Sequence, residues 1–202
     1  TPLIALLGEL PFRGAYSAFA LGTLVWAAKA FQAAPFVQLW PNMPILDWAP
    51  VLLMPFALLL VIASVTTKSP TRIGADIRPD TVATAAGMIR VTRHPMMWGL
   101  ILWAGSHVLA TGDLANLILM GGMVLLAVAG MLHIDARRAA TFGSAWGPIA
   151  LSTSVIPFAA IAAGRTSMDW AGIGWWRLAA ALGAYAALLI GHEWIFGVSA
   201  LP

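Results

Sequence analysis

Long apolar segments, separated by short polar connections, dominate the pattern of hydrophobic and polar positions along this chain. Each of five such segments has between 16 and 22 residues, close to the roughly 20 that a helix needs to cross a bilayer. They cover residues 14–31, 48–65, 95–110, 114–134 and 176–197. The pattern therefore predicts an all-α fold, a polytopic transmembrane helix bundle of about five spans in a single membrane domain over residues 1–202.

A sixth apolar segment, residues 149–163, is too short to cross a membrane. It also contains Ser152, Thr153, Ser154 and Pro157, residue types that interrupt a helix. Non-helical backbone at membrane depth requires a buried or ligand-lining position, because its polar groups have no water to bind. The sequence predicts a re-entrant or interfacial segment here, with the hydroxyl residues as a candidate pocket wall.

Basic residues are distributed unevenly among the connections. The connection 66–93 contains five of them, whereas the connections 35–47 and 111–113 contain none. Cytoplasmic connections of membrane proteins carry an excess of Lys and Arg. Loop 66–93 is therefore predicted to be cytoplasmic.

Composition excludes the other broad classes of protein. The chain of 202 residues is 60% hydrophobic and 9% charged, whereas a soluble domain has about 25% charged residues. Such hydrophobicity also excludes intrinsic disorder, and the absence of cysteine excludes disulfides and thiolate ligands. The net charge of +3 does not indicate nucleic acid as a partner, because basic loop residues suit anionic membrane lipids.

Four histidines are the candidate nitrogen ligands of a metal or a haem. Their positions along the predicted spans sort them by depth, with His107 and His192 in the outer half and His94 and His133 at the inner boundary. Either pair is suited to bracket a metal ion or a haem. The alternative for His107 and His192 is a hydrogen bond to a neighbouring helix. For His133 it is an interfacial position at the helix end, and for His94 the cap at the start of the third span. His94 and His107 are 13 residues apart, about 20 Å along a helix, so they belong to different sites.

A second group of candidates, Arg93, His94 and Trp98, lies around the start of the third span. Pro95 fits the first turn of a helix, where backbone N–H groups and the helix dipole attract anions. With Arg90 and Arg93 alongside, the sequence indicates a site for a carboxylate or a phosphate headgroup, or else contact with lipid alone. These three residues are therefore candidate cofactor contacts.

Motifs along nearly the whole chain resemble the NnrU family. They include residues 87–99 (GMIRVTRHPMMWG), 102–107 (LWAGSH), 153–160 (TSVIPFAA), 174–177 (GWWR) and His192 followed by 196–198 (FGV). That family includes bacterial membrane proteins associated with nitrite and nitric oxide reduction gene sets. It is also similar to plant and algal 15-cis-zeta-carotene isomerase, a haem b membrane enzyme.

The resemblance implies a haem b protein of a bacterial inner membrane, with His107 as an axial ligand. His192 matches another family histidine, and Trp103, one helical turn before His107, would pack against the macrocycle. The activity would be redox-linked, either cis–trans isomerisation of a polyene that enters from lipid or a role in nitrogen-oxide metabolism. Family members usually begin with one further helix whose histidine is the partner ligand; where that helix is absent, His192 is the candidate substitute.

Two alternative functions fit other features. Residues 93–95 (RHP) and Gly99 resemble the start of the S-adenosylmethionine site of isoprenylcysteine carboxyl methyltransferases and phospholipid methyltransferases. Those enzymes continue with a pair of glutamates, whereas this chain has residues 135–138 (DARR) at that place. The other alternative is an assembly factor without catalytic activity, which would dock on a membrane-complex partner through the glycine-rich fourth span.

Overall fold

A computed structural model of the chain describes residues 4, 6, 8–67, 69 and 85–202. In chain order its helices are α1 (Glu9–Ala33), α2 (Pro44–Thr66), α3 (Met88–Val91), α4 (Pro95–Thr111), α5 (Leu114–Phe142), α6 (Trp146–Ser152), α7 (Ala159–Ala162), α8 (Trp170–Ile173) and α9 (Trp175–Phe196), with a 3₁₀ turn at Gly143–Ala145 between α5 and α6. No β-strand forms in this part of the chain, which confirms the all-α fold. Of the predicted cytoplasmic loop, positions 68 and 70–84 lie outside the described residues.

Three helical segments are long and apolar enough to cross a membrane: α2, the continuous helical stretch Leu114–Ser152, and α9. They make this a membrane protein with several spanning helices. The other two predicted spans also form helices but differ in character. Helix α4 has only 17 residues, and α1 contains Glu9, Arg13 and Lys29 within its 25 residues.

The helices pack in the order α9, α2, α4, α5, with α2 against both α9 and α4, and α4 also against α5. Small residues lie at the contact between α2 and α4, where Gly99 approaches the backbone of Ala57, which is 2% exposed. Small side chains let two membrane helices approach closely, so that dispersion contacts hold them together in lipid. Large apolar side chains face outward instead, as Trp194, 95% exposed, does on α9.

Gly99 is the closest point of approach between α4 and α2. A Cβ atom added there would lie 2.7 Å from Val61 Cγ2 and 2.9 Å from the Ala57 carbonyl oxygen. We expect Gly99→Ala to destabilise the protein by about 1–3 kcal/mol, because the two helices must separate. Thermal unfolding in detergent measures the effect. The matched control is Gly105→Ala on the same helix, where a Cβ meets nothing within 4 Å; a loss of equal size in both variants would contradict the prediction.

A segment before α2 crosses the turn between α4 and α5. The backbone N–H of Leu39 donates to the Gly112 carbonyl at 2.8 Å, and the N–H of Leu114 donates to the Val37 carbonyl at 2.9 Å. The indole of Trp40 lies against Gly112 and leaves no room there for a side chain. The turn itself is short, because Gly112 ends α4 in the left-handed conformation and Asp113 caps α5 through the N–H of Asn116.

Residues 149–163 do not form a continuous helix. Helix α6 ends at Ser152, α7 begins at Ala159, and residues 153–158 between them are non-helical. Arg165 closes the end of α6 by donating to the carbonyls of residues 150, 151 and 153. The predicted interruption at the hydroxyl residues and Pro157 therefore occurs, and side chains satisfy the carbonyl groups that it exposes.

Asp169 ties the start of α8 to the residue that precedes α3. Its carboxylate accepts the backbone N–H of Gly87 at 2.8 Å and that of Gly172 at 2.9 Å. These two hydrogen bonds, the one from Gly87 first, hold the pKa of Asp169 below its ordinary value of 3.8.

The lowered pKa of Asp169 makes the stability of the protein depend on acidity in a defined window. A depressed pKa means that the stabilisation is complete above pH 3.8 and is lost as the pH falls through the folded-state value. We expect Asp169→Asn to remove the stabilisation that the ionised carboxylate provides. The difference in melting temperature between wild type and variant should therefore shrink below pH 3.8. A difference that stays constant down to the lowest measurable pH would contradict this.

Candidate functional site

Helix α4 carries a polar group at each of its ends, and these two places are called here the His94 end and the His107 end. His94 is the N-cap residue of α4, and His107 lies in its last turns. Both ends are held by the neighbouring helix α5, since Asp135 contacts His94 and Asn116 donates to the His107 carbonyl at 3.0 Å. The two histidines therefore belong to separate sites, as their spacing predicts.

The imidazole of His107 makes a hydrogen bond that determines which of its nitrogens carries the proton. Its Nδ1 lies 2.7 Å from the carbonyl oxygen of Trp103. A carbonyl oxygen only accepts, so Nδ1 must carry the hydrogen and the lone pair of the neutral ring is on Nε2. The Trp103 ring packs at 6.0 Å from the imidazole, centroid to centroid, which confirms that these two side chains lie on one face of the helix.

His192, on α9, repeats this arrangement at the same end of the bundle. Its Nδ1 lies 2.8 Å from the carbonyl oxygen of Val198, so Nε2 again has the lone pair. The chain can fold back in this way because Gly197 has φ 75°, a left-handed conformation that glycine adopts without strain. His107 and His192 thus lie at the same end of the bundle, on helices α4 and α9 that both pack against α2.

A neutral imidazole with one ring nitrogen donating to a carbonyl and the other free is the form that binds metals. A nitrogen of this kind is what a haem iron takes from a histidine ligand. In the described part of the chain, no group of three or more His, Cys, Asp or Glu side chains could hold a metal ion. Each of the two imidazoles at the His107 end has the donor chemistry of a histidine ligand, which fits a haem.

The His94 end is a buried cluster of three ionisable side chains. His94 Nε2 lies 2.8 Å from one oxygen of Asp135, and Arg93 Nε lies 3.0 Å from the other oxygen. The side chains of His94, Arg93 and Asp135 are 1%, 12% and 20% exposed, respectively. His133, the predicted inner partner of His94, is exposed, and Asp135 takes that place instead.

The non-helical residues 153–158 complete the His94 end. The backbone N–H of Arg93 donates to the Ser154 carbonyl at 2.9 Å. The Thr92 hydroxyl and the Trp98 indole both donate to the Val155 carbonyl, at 2.9 and 2.8 Å. Trp98 is thus an anchor for this segment, and the expected anion at Arg93 and His94 is provided by the protein's own Asp135.

Two of the residues that hold these sites were not among the candidates from the sequence: Asn116 and Asp135. A signal for Asp135 was present, because it is one of only 8 acidic residues and follows His133 by two positions. An acidic residue near the end of an apolar span is costly unless a partner neutralises it. The partner itself could not be identified, because His94 is 41 residues away in the sequence.

These observations define an all-helical membrane protein with two imidazoles at one end of its bundle and a buried histidine–aspartate–arginine cluster at the other. The chain belongs to the NnrU family: the family model described as NnrU protein matches residues 1–200. This confirms the family that the sequence motifs resemble.

Two curated plant proteins are similar to this chain. Both are called 15-cis-zeta-carotene isomerase, chloroplastic; the one from Zea mays is 30% identical over 103 residues and the one from Arabidopsis thaliana is 36% identical over 100 residues. The matches cover 51% and 50% of this chain but only 28% and 27% of those proteins. No solved structure matches the chain.

Proposed function

We propose that this protein binds haem b at the His107 end and catalyses a redox-linked isomerisation of a lipophilic polyene in a bacterial inner membrane. The observation that supports this most is the pair His107 and His192. Both imidazoles donate Nδ1–H to a backbone carbonyl, and both therefore direct a free Nε2 lone pair away from that carbonyl. The similarity to the plant isomerases supports the reaction class.

When bound, the haem would supply an iron centre that exchanges one electron and interacts with an electron-rich double bond. The chain's own residues do the rest. The Trp103 carbonyl fixes the ring orientation of His107, and the Val198 carbonyl fixes that of His192. Trp103 and Phe196 flank the two imidazoles with apolar rings, at centroid distances of 6.0 and 4.8 Å. They place flat apolar surfaces beside the two imidazoles, where a macrocycle would lie.

The exterior of the bundle supports an apolar substrate that arrives from lipid. Leu52, Leu126 and Ile190, on α2, α5 and α9, are more than 60% exposed, so these helices present apolar side chains to the hydrocarbon. A polyene is soluble in the same environment. A role in nitrogen-oxide metabolism is the second possible use of such a haem and stays a prediction from the family resemblance.

Optical spectroscopy of the purified protein tests the proposal directly. Protein from haem-replete cells, in mild detergent, is expected to show a Soret band and a haemochrome spectrum of b type. Addition of a 15-cis polyene under reducing conditions should then yield the all-trans product, as read by chromatography. A colourless preparation that also takes up no added haemin would overturn the haem site, whereas haem binding without isomerisation would overturn the reaction alone.

The methyltransferase and assembly-factor alternatives stay predictions. At the His94 end, Arg93 and His94 both contact Asp135 rather than pointing to an open cofactor site. Calorimetry with S-adenosylmethionine separates that alternative, because binding would have to break these two contacts. A stable partner that co-purifies in mild detergent would favour the assembly role.

A further inference from the structure

Ser106 lies beside the proposed ligand His107 and shares a hydrogen-bond acceptor with it. The Ser106 hydroxyl donates to the Trp103 carbonyl at 2.9 Å, and the His107 Nδ1 contacts the same oxygen at 2.7 Å. The hydroxyl oxygen is 3.4 Å from that Nδ1. Ser106 is 1% exposed, so no water competes for its hydroxyl.

A carbonyl oxygen has two lone pairs, and the Trp103 oxygen also belongs to the backbone ladder of α4. When the Ser106 hydroxyl also donates to this oxygen, the oxygen accepts less strongly from other donors. The hydrogen bond from the imidazole Nδ1–H to the same oxygen is therefore weaker. The strength of this bond sets how much electron density the ring gives to a metal at Nε2, because a stronger bond gives the ring more imidazolate character. Ser106 can thus act on a metal through His107 without touching it.

We propose that Ser106 is a positioning residue that limits the hydrogen bond from His107 Nδ1–H to the Trp103 carbonyl, and thereby tunes the iron of a haem bound by His107. This inference rests on the proposed haem site. A serine that donates to the carbonyl three residues earlier is common in helices. What distinguishes Ser106 is that the same oxygen also accepts from the side chain of a candidate ligand.

The first experiment uses the haem-free protein and the variant Ser106→Ala. Nitrogen-15 NMR of labelled histidine is expected to show the Nδ1–H tautomer of His107 in both proteins, with the Nδ1 proton shifted downfield in the variant as its hydrogen bond shortens. The signal of His192, whose Nδ1–H donates to Val198, serves as the internal reference and should not move. An unchanged or upfield-shifted His107 proton would overturn the proposal.

The second experiment measures the haem-loaded protein. Ser106→Ala is expected to move the midpoint potential of the haem to more negative values. In the His192→Ala background, where the haem is expected to be five-coordinate, it should also raise the iron–histidine stretching frequency of the ferrous state. Ser106→Cys, with a weak S–H donor of similar size, should give a smaller shift in the same direction. Ser64→Ala on α2, which removes another buried serine hydroxyl, is the matched control and should leave both values unchanged.

The outcomes separate this inference from the proposed function. A wild-type protein that binds no haem overturns the proposed function and the tuning role together, and the NMR experiment alone then decides whether Ser106 positions His107. A haem protein whose potential is the same in Ser106→Ala and Ser64→Ala overturns the tuning role and leaves the haem site standing. A positive shift of the potential would also contradict it, because the ring would then donate less to the iron.

Discussion

Replacement of Asp135 with alanine is expected to destabilise this protein by about 3–5 kcal/mol, the largest effect among the substitutions considered. The reason is that Arg93 and His94 would stay buried at the membrane boundary without the carboxylate that now lies within 3.0 Å of both. A buried cation that loses its partner keeps its desolvation cost and loses its compensation. Equilibrium unfolding in mixed micelles measures the change.

Two further substitutions show whether the buried charge is the cause. Asp135→Asn retains an oxygen that accepts from His94 Nε2 but has no charge for Arg93, so its loss should be intermediate. Glu9→Ala removes the other kind of ion pair, the exposed one that Glu9 makes with Arg13 at 2.6 Å, which should contribute about 0–1 kcal/mol. Equal losses for Asp135→Ala and Glu9→Ala would show that the His94 end is not a buried charge cluster.

Replacement of His107 with alanine is expected to weaken haem binding strongly. Loss of the ligand nitrogen itself should weaken haem affinity by more than the about 10- to 100-fold that loss of an outer-shell partner costs. His192→Ala should leave a five-coordinate haem with an altered Soret band, because one axial ligand remains. Haemin titration followed by absorption spectroscopy gives the affinities and the coordination state.

His133→Ala is the matched control for these ligand variants. His133 is exposed and lies on α5, near the opposite end of the bundle from His107. Its replacement should leave the spectrum and the affinity of wild type. A spectrum that is lost in His133→Ala and retained in His107→Ala would assign the haem to another site.

The sequence predicted the helices well because their apolar segments need to satisfy only one requirement, burial in lipid. The end of α5 was misplaced for the same reason. The apolar pattern stops at residue 134, where residues leave the hydrocarbon, but α5 continues to Phe142 because Ala and Arg are good helix formers in water as well. Hydropathy thus marks the membrane boundary rather than the end of a helix.

In the candidate site, too, some contacts could be predicted from the sequence and others could not. The pairing of Trp103 with His107 follows from their spacing of four residues on one helix, and it could be predicted locally. The contact of His94 with Asp135 depends on which helices are neighbours and how each is rotated about its axis. Neither property can be derived from a single sequence. The tautomers of His107 and His192 likewise depend on two carbonyls, and only the folded backbone determines where these lie.

The short turn between α4 and α5 has a consequence for how the protein is made. Seventeen residues extend about 26 Å as a helix, less than the about 30 Å of a bilayer core, so α4 is a weak signal for membrane insertion by itself. Only Gly112 and Asp113 separate it from the long apolar α5. We therefore expect the translocation machinery to receive α4 and α5 as one helical hairpin. In that case His107 reaches its final depth only after the helix that follows it has been synthesised.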